Sequence, residues 1–105
     1  MFSYTVRCRF SNPDIAKEWF EWLRNDHVQD VIDCGADSAE IVKMDSVHLT
    51  FEIRYQFLNR NAFEEYEQDH AHRLRKEGLL KYPLTLGLEY ERTTGEVVFD
   101  SEQKP

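Results

Sequence analysis

Residues 47–57 read VHLTFEIRYQF, and their apolar side chains fall on every second position. Val47, Leu49, Phe51, Ile53, Tyr55 and Phe57 share one parity, while His48, Thr50, Glu52, Arg54 and Gln56 share the other. An extended chain sends alternate side chains to opposite faces, so this pattern specifies a half-buried strand. The opening stretch FSYTVRCRF repeats it, with Phe2, Tyr4, Val6, Cys8 and Phe10 against Ser3, Thr5, Arg7 and Arg9. A third instance is LTLGLEY, with Leu84, Leu86, Leu88 and Tyr90 on one side. The parity predicts strands over 2–10, 46–57 and 84–92, with a weaker edge strand in SAEIVKM.

Helical signals fill the gaps. Asn12 is a good N-cap, Pro13 suits the first helical position and Asp14 suits the positive helix end. Ile15, Trp19, Trp22 and Leu23 then recur at helical spacing, with Ala16 and Phe20 widening the stripe. This helix covers about residues 13–26, with a further turn reaching Gly35. Asn59 or Asn61 opens a second helix near 60–77 that Gly78 is expected to end. The order β-α-β-β-α-β is the ferredoxin-like split βαβ pattern, an α+β fold. It implies an antiparallel sheet with the first and third strands central and both helices on the apolar face. After a turn at Thr93-Thr94-Gly95, the stretch EVVF is expected to add a short C-terminal strand. One domain over 1–99 and a disordered polar tail over 100–105 complete the expectation.

Composition narrows the function classes. A chain of 105 residues, 41% hydrophobic and 13% aromatic, has enough apolar material for a core. A net charge of −7 argues against a nucleic-acid surface and against anionic membranes. No apolar run approaches the ~20 residues of a membrane-spanning helix, and the amino terminus is not a signal peptide, so a cytoplasmic location is expected. Cys8 and Cys34 make no disulfide framework. Cys8 reads as a small core hydrophobe, and Cys34, near Asp30 and Asp33, lacks the cationic setting of a reactive thiol.

The polar parity is the part of the sheet that the core does not explain. Arg7, Arg9 and Arg54 balance Glu52, Glu89 and Glu91. Such a face is either solvated and laced with cross-strand ion pairs or covered by a second copy of the chain, leaving a polar cavity between two sheets. Balanced charge suits a face that meets itself across a two-fold axis.

The stretches AKEWFEWLRNDHVQDVIDCG, HAHRLRKEGLLKYP and LEYERTTGEVV together resemble an uncharacterised family of short bacterial proteins known as a domain of unknown function. That family is similar in fold to the dimeric α/β-barrel superfamily of ferredoxin-like proteins. The resemblance implies a homodimer whose sheets face each other, with Arg7, Glu52, Arg54 and Glu89 at or beside the interface. The superfamily includes cofactor-free monooxygenases and ligand-binding proteins, but a fold does not carry a chemistry. His27 and His70 match motif positions of the family, without a role attached.

Candidate site residues follow from residue type and position. No Ser/His/Asp order, phosphate loop, Cys-x-x-Cys or zinc spacing is present, and neither cofactor nor metal is expected. His70 lies on the apolar stripe Phe63, Tyr66, His70, Leu74, with Ala71 beside it, whereas His72, two positions on, points toward solvent. Glu67 and His70 form a Glu-x-x-His step, but Arg24 stands where the facing helix of a di-metal bundle needs a glutamate. His27 sits near a helix end with Asp26 and Asp30, which are expected to raise its pKa. Two function classes stay open. One is a homodimeric module that holds a small ligand, with Arg7, Glu52, Tyr55 and His70 as candidate contacts. The other is a cofactor-independent enzyme of monooxygenase or isomerase type, with His27, or His48 with Arg54, as base or oxyanion stabiliser. Trp19, Phe20, Trp22, Phe51, Tyr55 and Tyr82 could line a pocket for a flat substrate. A cavity between helices and sheet with a histidine exposed to it favours the enzyme, and a filled core favours the module.

Overall fold

A computed structural model describes residues 1–102 of the chain. The strand β1 (Phe2–Phe10) leads into helix α1, which starts as Pro13–Trp22, widens into a π turn at Leu23–His27 and continues as Val28–Asp33. Then come β2 (Ser38–Lys43) and β3 (Leu49–Phe57). Helix α2 repeats the design of α1: Arg60–Tyr66, a π turn at Glu67–Ala71, and His72–Lys81. A 3₁₀ turn at Leu84–Leu86 precedes β4 (Leu88–Glu96). The sheet is antiparallel in the order β2-β3-β1-β4, so the first and third strands are central as the parity requires.

The caps act where the sequence places them. The Asn12 side chain accepts from the amides of Asp14 and Ile15, and Asn59 accepts from that of Ala62. Phe2, Tyr4, Val6, Cys8 and Phe10 are all buried, as are Phe51, Ile53, Tyr55 and Phe57. Trp19 of α1, 1% exposed, meets Phe10 and Phe51, while Phe63 and Tyr66 of α2 pack on Phe2, Tyr4 and Phe57. Burial raises the Cys8 thiol to about 12, consistent with a packed, inert side chain.

Several boundaries differ from the expectation. β3 starts at Leu49 rather than 46, because Asp45–His48 forms a bend in which Val47 is 99% exposed. Leu84 and Leu86 lie in the 3₁₀ turn, exposed, rather than on a strand. Gly87 then takes φ 92°, the left-handed conformation that glycine adopts without strain, and starts β4. The turn expected at Thr93-Thr94-Gly95 does not form: β4 runs straight through it to Glu96, and Val97–Phe99 adds no further strand. Gly78 does not end α2, which continues to Lys81, because Gly78 sits against Trp22 of α1 and serves the helix contact. Part of the expected tail, 103–105, lies outside the described residues. Among the described residues no helix is long and apolar enough to cross a membrane.

Candidate functional site

The two faces of the sheet carry two different polar systems. On the face away from the helices, Glu52 is only 7% exposed although it belongs to the polar parity. The Arg7 Nε donates to its Oε2 at 2.9 Å, and the Arg54 Nη2 donates to its Oε1 at 2.9 Å. These hydrogen bonds, that from Arg7 foremost, hold the Glu52 carboxyl below its ordinary pKa. Arg54 also reaches Glu40 of β2, and Arg9 pairs with Glu89 of β4. Glu40 was not counted in the expected balance, so the face carries four acids against three arginines. Arg7 and Glu52, expected to touch a ligand, are each other's partners.

His48 and Arg54 are not brought together. His48 lies exposed in the bend before β3, and the six residue steps from it to Arg54 extend about 20 Å along a strand. His48 instead borders a shallow groove of about 630 Å³ with Arg7, Arg9, Thr50, Glu89 and Glu91. His70 is half-buried rather than central, because the π turn moves Ala71, 0% exposed, into the core position. Glu67, its Glu-x-x-His partner, is ion-paired to Arg75. Cys34 does have a cationic neighbour after all, since the Arg73 Nη2 lies 3.7 Å from its Sγ.

The second system lies between helices and sheet, around a partly open cavity of about 50 Å³. Leu23, His27 and Val31 of α1, Tyr66, Leu74 and Arg75 of α2, and Tyr4, Tyr55, Tyr90 and Arg92 of the sheet are among its walls. The first π turn supplies two of its walls, Leu23 and His27, and such turns recur at functional sites because the inserted residue re-aims the side chains that follow. Its polar walls bond one another. The Arg75 Nη2 donates to the Tyr4 hydroxyl at 3.0 Å and the Trp19 Nε1 donates to the Tyr90 hydroxyl at 3.1 Å. The Arg75 Nε is buried and has no hydrogen-bond partner. Burial pushes the Tyr55, Tyr66 and Tyr90 phenols well above their ordinary pKa, so all three stay protonated donors.

His27 stacks on Trp22 with ring centroids 4.7 Å apart. Its pKa is lowered, not raised as expected: desolvation outweighs the pull of Asp30 and Glu77. Among the expected pocket aromatics, Trp19, Trp22 and Tyr55 line the cavity. Phe20 and Phe51 face an outer groove, and Tyr82 packs on Trp22. Of the candidates named from sequence, only His27 and Tyr55 reach the cavity. Arg75, Arg92, Tyr4, Tyr66 and Tyr90 were not singled out. Tyr4 had been read as core by strand parity and Tyr66 by helical spacing, which say that a ring is buried but not that its hydroxyl meets a void.

Comparison with known proteins follows the fold. Residues 1–86 match the family described as "Domain of unknown function (DUF4286)". No curated protein sequence matches the chain. A dimeric ferredoxin-like protein from an uncultured marine organism is similar in structure, with a TM-score of 0.71 at 10% identity, over 98% of this chain and 100% of that one. HapK from Hahella chejuensis gives 0.67 at 13% identity, over the whole of both chains. A monooxygenase of Streptomyces coelicolor from the gene ActVA-Orf6, solved with the ligand Nanaomycin D, gives 0.63 at 15% identity, over 93% of this chain and 89% of that one. At such identities the likeness concerns the ferredoxin-like fold alone.

Proposed function

The chain belongs to the DUF4286 family, a domain of unknown function, and from that premise we propose a homodimeric small-molecule-binding protein whose ligand enters the cavity between helices and sheet. The observation that carries the reading is a cavity walled by aromatic rings that two arginines, Arg75 and Arg92, also line with no acid among the walls. The volume of about 50 Å³ accommodates a few non-hydrogen atoms, so the rest of the ligand would lie in the mouth beside Leu79 and Arg92. The dimer is supported by the polar sheet face and by the dimeric ferredoxin-like relative in structure.

A ligand-observed NMR screen of small polar aromatics tests the reading. Binders are expected, and Leu79→Trp, at an exposed position on the rim, should abolish their signals without lowering the melting temperature. Binding that survives Leu79→Trp would place the ligand elsewhere.

One observation favours a second reading, a cofactor-independent enzyme on a small aromatic or polar substrate. The lowered pKa of His27 keeps its imidazole neutral at pH 7, the form a general base requires, and it lines the same cavity. On that reading His27→Gln would retain binding and lose turnover of whatever substrate the screen identifies.

A further inference from the structure

The cavity's charge is opposite to that of the protein. The chain has 20 acidic and 13 basic residues, yet no Asp or Glu stands among the cavity's walls, which include both Arg75 and Arg92. Arg7, Arg9, Arg24, Arg54, Arg60, Arg73 and Arg75 each pair with a carboxylate. Among the described residues Arg92 alone of the arginines has no such partner. Its guanidinium lies 5.1 Å from the centroid of the Tyr90 ring, at the edge of the sheet that the cavity reaches. In a chain with so large an excess of acid, an unpaired arginine is not explained by a shortage of counter-ions.

The other polar atoms at the cavity agree in kind. The Arg75 Nη2 donates to the Tyr4 hydroxyl at the cavity, and the Tyr55 and Tyr66 hydroxyls can each donate as well as accept. Two guanidinium groups with no acid among the walls disfavour a cationic ligand and favour oxygen acceptors. The fork of a guanidinium matches the two oxygens of a carboxylate in particular. Resting on the ligand-binding reading above, we infer that the cavity takes a small carboxylate-bearing molecule, with its carboxylate held by Arg92 at the mouth and its flat or short apolar body against Tyr90 and the inner rings.

Three isosteric probes separate the possibilities: benzoate, benzamide and benzylamine, each titrated into ¹⁵N-labelled full-length protein. Benzoate is expected to shift the indole N–H signals of Trp19 and Trp22, to bind at least tenfold more tightly than benzamide, and to raise the melting temperature. Benzylamine is expected to leave the spectrum unchanged. Arg92→Gln, at an exposed position, should weaken benzoate at least tenfold and leave benzamide and the unliganded melting temperature unaltered. Equal binding of benzoate and benzamide, or benzoate binding indifferent to Arg92→Gln, would overturn the carboxylate assignment while leaving the cavity a ligand site. Failure of all three probes to shift Trp19 or Trp22 would overturn both readings.

Discussion

Single residues show most directly which expectations rest on burial and which on neighbours. Trp19 was placed in the core by helical spacing alone, and it is there, with its Nε1 tied to Tyr90. Trp19→Ala should destabilise by ~3–5 kcal/mol in denaturant melts, the range for a large aromatic lost from a core. Gly87 sits at φ 92°, and a Cβ added there would come 2.0 Å from the Ser11 Oγ. Gly87→Ala should therefore cost at least ~1–2 kcal/mol, the penalty for a left-handed backbone carrying a side chain, where an ordinary surface exchange costs almost nothing. His27 gives a pH signature. Its folded pKa lies below the ordinary 6.5, so the unfolded chain binds the proton more readily and stability falls as pH drops through about 6.5. Glu52 adds the usual carboxylate effect further down: its folded pKa is below 4.5, and its contribution disappears as pH falls through that lower value. Melting temperatures from pH 8 to 5 should decline for the native chain and decline less for His27→Gln. The direction of the His27 shift was misread from sequence because adjacent acids are visible in a sequence and desolvation by Trp22 is not.

At the scale of elements, the strands and caps were legible, and the π turns were not. Alternation and N-cap chemistry are local, so Asn12, Asn59 and the parity of β1 and β3 could be read directly. A π turn inserts one residue into a helix whose periodicity otherwise looks regular, and only the packing reveals which residue is in excess. In α2 the buried positions run Phe63, Tyr66, Ala71, Leu74 and Gly78. The step from Tyr66 to Ala71 is one residue too long for 3.6 residues per turn. Deleting the exposed Gln68 would restore the regular stripe. That deletion should keep the fold, with a melting temperature within a few degrees of the native one. Deleting Lys76, in the regular part of α2, should be far more damaging, because it rotates Gly78 away from Trp22. If the Gln68 deletion unfolds the chain, the π turn is a requirement of the fold rather than a local excess. Strand limits failed for a related reason: Val47, Leu84 and Leu86 continue the alternation in sequence after the backbone has left the sheet.

For the whole molecule the open matter is what covers the polar sheet face. Most of that face is already paired within one chain, since Arg7 and Arg54 hold Glu52, Arg54 reaches Glu40 and Arg9 holds Glu89, which leaves Glu91 as its one acid in excess. Substituting Arg54, in contact with both Glu52 and Glu40, would disturb the chain itself and could not report on a dimer alone. Thr93 is the better probe. It is exposed, pairs with Thr5 across β4 and β1, and lies on the same face as Arg7 and Glu91 without taking part in an ion pair. Paired charges can be buried against a second copy at little electrostatic cost, whereas a second unpaired acid beside Glu91 cannot. Light scattering at micromolar concentration should give a mass near twice the 12.6 kDa of the chain. Thr93→Glu should move the protein toward the single-chain mass while leaving its circular dichroism unchanged. A native mass of one chain would refute the dimer. A dimer indifferent to Thr93→Glu would shift the interface away from this face, where the exposed Val98 and Phe99 beyond β4 become the next surface to substitute.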